Sequence, residues 1–160
     1  MSTLRGFAPI IDTRARTLIL GSFPSEASLK AQQYYAHKQN QFWKIMGALL
    51  NQSLYEMDYA ARWPYIQAAG IAVWDVYATC EREGSLDSDI RLGVTNDFAR
   101  LRTLAPKLER VCFNGQTAAK FQRLLHDMDY EVHVLPSSSP AYTLAFDRKF
   151  AAWREALLIA

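Results

Sequence analysis

Four short apolar runs, separated by segments with helical spacing, constrain the fold of this chain more than any other feature. The runs cover residues 17–21 (TLILG), 71–76 (IAVWDV), 110–114 (RVCFN) and 131–135 (EVHVL). Continuous β-branched and aromatic runs of this length are typical of strands that are covered on both faces of a parallel sheet. The connections are long enough for right-handed crossovers through helices. We therefore predict a three-layer α/β/α sandwich with a central four-stranded parallel sheet.

Apolar residues at helical spacing predict the helices that cover this sheet. They fall within residues 41–51, 59–69, 98–108, 117–128 and 146–158, and Pro64 and Pro106 weaken the second and third of these segments. With 160 residues and no linker or repeat, the chain suits one core. We predict a single domain over residues 1–160. The longest polar connection, residues 80–95, follows the carboxyl end of a predicted strand, where open α/β sheets place ligands.

Charge and cysteine content exclude several classes of protein. The 18 basic and 16 acidic residues give a net charge of +2, which is too small for a protein that coats nucleic acid by charge alone. Cys80 and Cys112 form no CxxC pair, and two thiols cannot hold a four-thiolate cluster. His126 and His133 lack partners at metal-ligand spacing. We expect a cytoplasmic protein without a signal peptide, membrane span, metal or cofactor.

Two segments after the first predicted strand combine residues that suit a binding site. In GSFPS, residues 21–25, Gly21 permits a tight exit from the strand, and Pro24 stiffens a loop that presents Ser22 and backbone N–H groups. Taken alone, this loop is better explained as a strand-to-helix turn with Ser25 as the N-cap. The run YYAHKQNQFW, residues 34–43, mixes aromatic and polar side chains just before a helix, which is unexpected for a pure core.

A serine-rich loop follows the last predicted strand. It reads LPSSSPAYT over residues 135–143, ahead of the last helix. Its three serines and two prolines make a stiff segment with hydroxyl and N–H groups at a helix N-terminus, which suits an anion such as a DNA phosphate. The alternative is a proline-stiffened turn with a capping serine.

GSFPS followed by YYAHKQNQFW resembles the first motif of the uracil-DNA glycosylase superfamily, and most of all the hypoxanthine-DNA glycosylase branch. The serine-rich loop resembles the second motif of the superfamily, which grips backbone phosphates and inserts a side chain into the duplex, although the histidine of that motif is missing here, as in this branch. VWDV (73–76), GSLDS (84–88) and FNGQ (113–116) resemble the same branch in order. The resemblance implies a base-excision enzyme that acts on double-stranded DNA containing a damaged base.

The resemblance also implies that Asn40, in the H-x-x-N-x-F-W run, is the catalytic residue that positions the attacking water. Breaking an N-glycosidic bond builds positive charge on the sugar and negative charge on the base, and a neutral amide can orient water at the anomeric carbon. Lys38 departs from the proline that the family usually has after the histidine. Without the resemblance, a helix N-cap is the preferred interpretation of Asn40. The motif has no carboxylate, which would be a stronger base than the Asn amide. We therefore expect a modest rate of base excision and a base that is a good leaving group, as a deaminated base is.

The remaining candidates form two groups. We predict a base pocket formed by Gly21, Ser22, Phe23, Tyr35, Asp75 and Asn114, and DNA contacts from Pro24, Ser25, His37, Ser85, Ser137, Ser138, Ser139, Pro140 and Tyr142. Phe23 is the expected stacking face, Tyr142 the residue that fills the gap left by the flipped nucleotide, and Asp87 a further contact. Helical periodicity places Phe42 in the core instead. Three alternatives remain open: Asp75 pairs with Arg82, Asn114 starts a tight turn, and His37 is a loop histidine.

We therefore predict a monomeric, monofunctional glycosylase, nucleoid-associated when bound to DNA, that hydrolyses the bond to deaminated bases, hypoxanthine first. One alternative is a uracil- or mismatch-specific enzyme of the same superfamily. A second is a non-catalytic protein that binds damaged DNA, and a third is a hydrolase of free nucleosides.

Overall fold

A computed structural model describes residues 2–157 and contains seven strands in two sheets. In chain order the strands are β1 (Leu4–Arg5), β2 (Thr17–Gly21), β3 (Ile71–Asp75), β4 (Tyr77–Glu81), β5 (Arg91–Thr95), β6 (Arg110–Asn114) and β7 (Glu131–Leu135). The larger sheet is parallel with the order β3-β2-β6-β7. The predicted four-stranded parallel sheet is confirmed. Every residue of β2, β3 and β6 is buried, which is why these strands read as continuous apolar runs.

Seven α-helices accompany the strands within the described residues. They are α1 (Glu26–Ala31), α2 (Phe42–Leu50), α3 (Tyr59–Ala68), α4 (Leu101–Leu104), α5 (Gln116–Ala119), α6 (Gln122–Asp127) and α7 (Phe146–Leu157). Helix α3 continues through Pro64, which lies on its exposed face. The predicted helix 98–108 is shorter, since α4 ends before Pro106, and the predicted helix 117–128 is divided into α5 and α6. Leu158, the predicted end of the last helix, lies outside the described residues.

Two apolar cores, one on each face of the parallel sheet, produce the three layers. Leu18, Leu20 and Trp74 face the core formed with α4, α5 and α6. Alternate residues, Ile19, Val73 and Cys112, face the core formed with α2, α3 and α7. The second core contains Phe42, Trp43, Trp63 and Trp153. Phe42 is fully buried, as its periodicity predicts.

A second, antiparallel sheet with the order β1-β4-β5 is absent from our prediction. We expected residues 80–95 to be a polar connection, but β4 and β5 pair there. The reason is that β5 is exposed at every residue and β4 buries only Cys80, so neither has a continuous apolar run. The segment between them, which includes a 3-10 turn at Asp87–Asp89, reaches the end of the parallel sheet. No described helix is both long enough and apolar enough to span a membrane.

Candidate active site

A cavity of about 260 Å³ lies at the carboxyl ends of the parallel strands. Gly21, Asp75 and Asn114 end β2, β3 and β6, and all three line it. Since the chain moves from β2 to β3 on one side and later to β6 on the other, this is the point where ligands bind in open α/β folds. All predicted site residues line the cavity except His37 and Pro140. Ser28, Tyr34, Leu86 and Ala141 also line it and were not predicted.

Gly21, Tyr35 and Asp75 form a tightly packed part of the wall. A Cβ atom on Gly21 would lie 2.6 Å from Asp75 Oδ1 and 2.9 Å from Tyr35 Oη. The Tyr35 ring stacks on Phe42, with centroids 4.0 Å apart, and its backbone has a φ of 56°. Glycine is therefore required at position 21 by the approach of two polar side chains as well as by the exit from the strand.

Asp75 is an almost fully buried carboxylate. Its exposed fraction is 4%, and its Oδ2 atom has no hydrogen-bond partner among residues 2–157. Burial, followed by the nearby Asp87 charge, raises the pKa of Asp75 to about 7, while the Arg82 charge lowers it. Among the described residues Arg82 makes no ion pair with Asp75, and its guanidinium donates to the Pro24 and Gly84 carbonyls at 2.7 and 2.8 Å. Asp75 therefore lines the cavity with one carboxylate oxygen buried and without a hydrogen bond.

Asn40 lines the same cavity and is held in place by the start of α2. Its Oδ1 atom accepts the Phe42 N–H at 2.9 Å, a local capping bond made from one residue before the helix N-cap, which is Gln41 and not Asn40 as our alternative had it. The neighbouring Gln41 N–H donates to the Ser138 carbonyl at 3.0 Å, which ties this segment to the serine-rich loop. No described residue hydrogen-bonds to Asn40 Nδ2. The capping bond thus orients the amide while its NH₂ group stays free.

Asn114 joins three segments of the site. Its Nδ2 atom donates to Ser138 Oγ at 3.0 Å and to Tyr35 Oη at 3.2 Å, and its Oδ1 atom accepts the Ser138 N–H at 2.9 Å. The next residue, Gly115, has a φ of 98°, so the predicted tight turn is present. Because the Asn114 amide is hydrogen-bonded to Ser138 and Tyr35, its main role is to hold these residues in the cavity wall rather than to bind a ligand.

Hydrogen bonds within the serine-rich loop and one from α7 fix the conformation of this loop. The Ser139 and Ala141 N–H groups donate to Ser137 Oγ and Ser139 Oγ, both at 3.1 Å, so part of the backbone that we expected to be free is already bonded. Lys149 of α7 is 1% exposed, and its Nζ atom donates to the Ser139 carbonyl at 3.2 Å. The same atom lies 5.4 Å from the centre of the Tyr142 ring. Burial lowers the pKa of the Lys149 ammonium.

The outer part of the site contains exposed side chains from two loops. Leu86 and Tyr142 line the cavity with exposed fractions of 55% and 48%. Ser25 caps α1 by accepting the Ser28 N–H, and Ser85 Oγ accepts the Glu26 N–H at 2.9 Å. His37 is exposed, and its Nδ1 atom accepts the Gln39 N–H, as in a loop histidine.

The cavity contains two carboxylates, although the motif around Asn40 has none. Asp75 comes from β3, and Asp87 comes from the 3-10 turn after β4. Asp87 Oδ1 accepts the Ser22 hydroxyl at 2.8 Å, across 65 positions of sequence. The structure thus brings Asp75, which we predicted for the base pocket, and Asp87, which we predicted as a further contact, to the cavity that Asn40 lines. Within residues 2–157, no group of three or more His, Cys, Asp or Glu side chains could hold a metal ion.

Known proteins resemble this chain over nearly its full length. A family model described as "Uracil DNA glycosylase superfamily" matches residues 8–159. Two proteins named hypoxanthine DNA glycosylase are 41% identical over 151 residues (Methanosarcina acetivorans; 94% of this chain and 92% of that protein) and 36% identical over 152 residues (Methanosarcina barkeri; 95% and 96%). A solution NMR structure of a structural-genomics target from Methanosarcina acetivorans has a TM-score of 0.89 and 38% identity, covering 98% of this chain and 97% of that one.

Proposed function

The chain belongs to the uracil-DNA glycosylase superfamily and is a DNA glycosylase, and we propose that its cavity holds a flipped deaminated base, hypoxanthine first, while Asn40 positions the water that replaces it. The observation that carries this proposal is the oriented Asn40 amide, whose NH₂ group is free at the cavity while Oδ1 is fixed by Phe42. A carbonyl oxygen has two lone pairs, so Oδ1 keeps one for a water. The amide thus orients the water without itself being ionised.

The bond that breaks joins the sugar C1′ atom to N9 of the purine. The oxygen of the water adds to C1′, and the base leaves with the bonding electrons, which a proton then neutralises. Charge develops on both fragments, so pre-oriented dipoles stabilise the transition state more than the ground state. A purine with O6 in place of the adenine amine delocalises that negative charge better, and this fits an active site with no strong acid beside the leaving group.

Asp75 is our candidate for reading the flipped base. It lines the cavity with Oδ2 unpaired, and above its pKa of about 7 the ionised carboxylate would accept the N1–H of hypoxanthine. Adenine, the parent base, has no proton on N1 and would leave the carboxylate unpaired in a buried site, which is costly. Uracil and xanthine also have such an N–H group, so this contact alone favours deaminated bases as a class.

Stacking and duplex contacts complete the proposal. Phe23 is 7% exposed and lines the cavity, as does Tyr35, and their rings are the candidate stacking faces. Ser137, Ser138, Ser139 and Pro140 would lie against the DNA backbone, with Pro24, Ser25, His37 and Ser85 along the opposite side. Tyr142 would fill the gap in the duplex. All these residues come from one chain, so a monomer suffices for the proposed reaction.

A substrate panel tests the proposal. Duplexes containing a single deoxyinosine, deoxyuridine, deoxyxanthosine or deoxyadenosine are incubated with the protein, and abasic product is measured after alkali cleavage. We expect product from deoxyinosine at a higher single-turnover rate than from deoxyuridine, and none from deoxyadenosine.

Other outcomes of the panel separate the alternatives. A higher rate on deoxyuridine would assign the chain to uracil repair. Tight, salt-sensitive binding without product would indicate a protein that only binds damage. Cleavage of free inosine without cleavage of DNA would indicate a nucleoside hydrolase.

A further inference from the structure

Ser22 and Asp87 form a hydrogen-bonded pair at the cavity that the proposed roles above leave unused. Ser22 follows β2 directly and donates its hydroxyl proton to Asp87 Oδ1 at 2.8 Å. Both residues line the cavity together with Asn40. As a whole residue, Asp87 is exposed to solvent.

The pair is not needed to hold the two loops together. Arg82 already donates to the carbonyls of Pro24 and Gly84, one in each loop. Glu26 adds two further contacts, since its N–H donates to Ser85 Oγ and its carboxylate accepts the Gly84 N–H. The Ser22–Asp87 hydrogen bond is a third contact between the same two loops, and both of its side chains line the cavity. This placement indicates a role in the reaction rather than in anchoring the loops.

We propose that Ser22 and Asp87 form a proton relay that assists the water positioned by Asn40, with Ser22 contacting the water and Asp87 acting through Ser22. This inference rests on the proposed glycosylase function of the cavity. Because the Ser22 hydroxyl proton points at Asp87, the lone pairs of Ser22 Oγ are available to accept a proton from a water in the cavity. Ser22 is therefore the catalytic member and Asp87 the positioning member.

The step balances in atoms and charge. As the water oxygen bonds to C1′ and the C1′–N9 bond breaks, one water proton passes to Ser22 Oγ while the Ser22 proton passes to Asp87 Oδ1. The products are a sugar with a hydroxyl at C1′, an anionic base and a neutral Asp87. Asp87 then loses its proton to solvent, which the open side of the cavity admits, and the base takes one up. Negative charge on Asp87 also stabilises the positive charge that develops on the sugar.

The charges around Asp87 are consistent with this role. Displacement of solvent by the surrounding protein raises the pKa of Asp87, while hydrogen bonds from Ser22 and Thr117 and the charges of Arg82 and Lys120 lower it. Asp75 faces it from β3 with a charge of the same sign. A carboxylate whose pKa lies above the ordinary range accepts a proton more readily.

Asp87→Asn is the discriminating variant, because an asparagine keeps an oxygen that accepts the Ser22 hydroxyl but cannot take up the proton. Asp89→Asn is the matched control, since it removes the same charge from the same 3-10 turn and Asp89 is exposed outside the cavity lining. Single-turnover excision from a deoxyinosine duplex and the Kd for that duplex are measured for both variants, for Ser22→Ala and for Asp87→Glu.

We expect Asp87→Asn and Ser22→Ala to lower the single-turnover rate by about 100-fold with less than a threefold change in Kd, and Asp87→Glu to recover part of the rate. Asp89→Asn should match the wild type. An Asp87→Asn rate within threefold of the wild type would overturn the relay, as would equal losses in rate and affinity. If neither the wild type nor Asp89→Asn releases base from any duplex of the panel, the proposed function itself fails, which is a different result.

Discussion

At the scale of single residues, the site depends on polar atoms that the fold leaves unpaired. Asp75 Oδ2 is buried without a partner among the described residues, whereas both polar atoms of the Asn114 amide are bonded to Ser138 or Tyr35. Buried polar atoms without partners cost stability, and they are retained where a ligand satisfies them. This contrast separates residues that face the base from those that hold the wall.

The buried Asp75 predicts a pH-dependent stability. Since its pKa is about 7 in the folded chain and near 3.8 when unfolded, the folded state binds the extra proton between these values. The free energy of unfolding therefore falls as pH rises towards 7, and the full penalty applies above it. Asp75→Asn removes the penalty, so we expect it to stabilise the protein by roughly 3 kcal/mol more at pH 8 than at pH 5.

Urea unfolding of the wild type and Asp75→Asn at both pH values measures this difference, with the exposed Asp89→Asn as the control. A difference between Asp75→Asn and the wild type that is equal at pH 5 and pH 8 would show that Asp75 has an ordinary pKa.

At the scale of elements, sequence patterns predicted the strands and helices whose residues are buried or periodic. They missed exposed strands and contacts between residues far apart in the sequence. Strands β2, β3, β6 and β7 were predicted almost to the residue, and for β2, β3 and β6 the reason is that continuous apolar runs report burial on both faces. Strand β7 lies at the sheet edge and buries only Leu135, so our expectation that it is covered on both faces was wrong. Strand β5 was missed since all its residues are exposed. Asp87 was noted as a loop contact, but its pairing with Ser22 depends on how β4 and β5 direct the intervening segment.

Lys149 shows the same limit within a helix. A lysine in an amphipathic helix is expected in solvent, yet α7 buries this one beneath the serine-rich loop, where it donates to the Ser139 carbonyl and lies near the Tyr142 ring. A buried ammonium with one carbonyl partner favours a specific loop conformation more than it stabilises the fold.

We therefore expect Lys149→Met to weaken binding to a duplex with an abasic site by about five- to tenfold, while the thermal midpoint changes little. The change in affinity corresponds to roughly 1 kcal/mol, which we assign to a loop that is no longer held in the conformation that binds DNA. Fluorescence anisotropy measures the affinity. Lys107→Met is the matched control, because Lys107 is exposed and precedes the amino end of β6, away from the cavity. Unchanged affinity in Lys149→Met would mean that the loop keeps its conformation without the ammonium.

At the scale of the whole molecule, sheet topology creates the site. The order β3-β2-β6-β7 brings Gly21, Asp75 and Asn114 to one edge of the sheet, and the loops after β2, β4 and β7 surround the cavity. This arrangement was predictable once the strands were recognised, because parallel strands end at the same edge. The antiparallel sheet was not predictable from apolar patterns. The position of Asp87, which lies between two of its strands, was therefore not predictable either.

The central claim is that Asn40 positions the attacking water, and single-turnover excision of hypoxanthine by Asn40→Ala tests it most directly. Gln39→Ala is the control, since Gln39 is the exposed neighbour in the same segment. Loss of the capping bond to Phe42 should destabilise the variant by about 1 kcal/mol, so the thermal midpoint is measured alongside. We predict that Asn40→Ala remains folded and binds the duplex, and that its excision rate is at least about 100-fold below that of the wild type and Gln39→Ala. A folded Asn40→Ala protein that excises hypoxanthine at the wild-type rate would contradict the account.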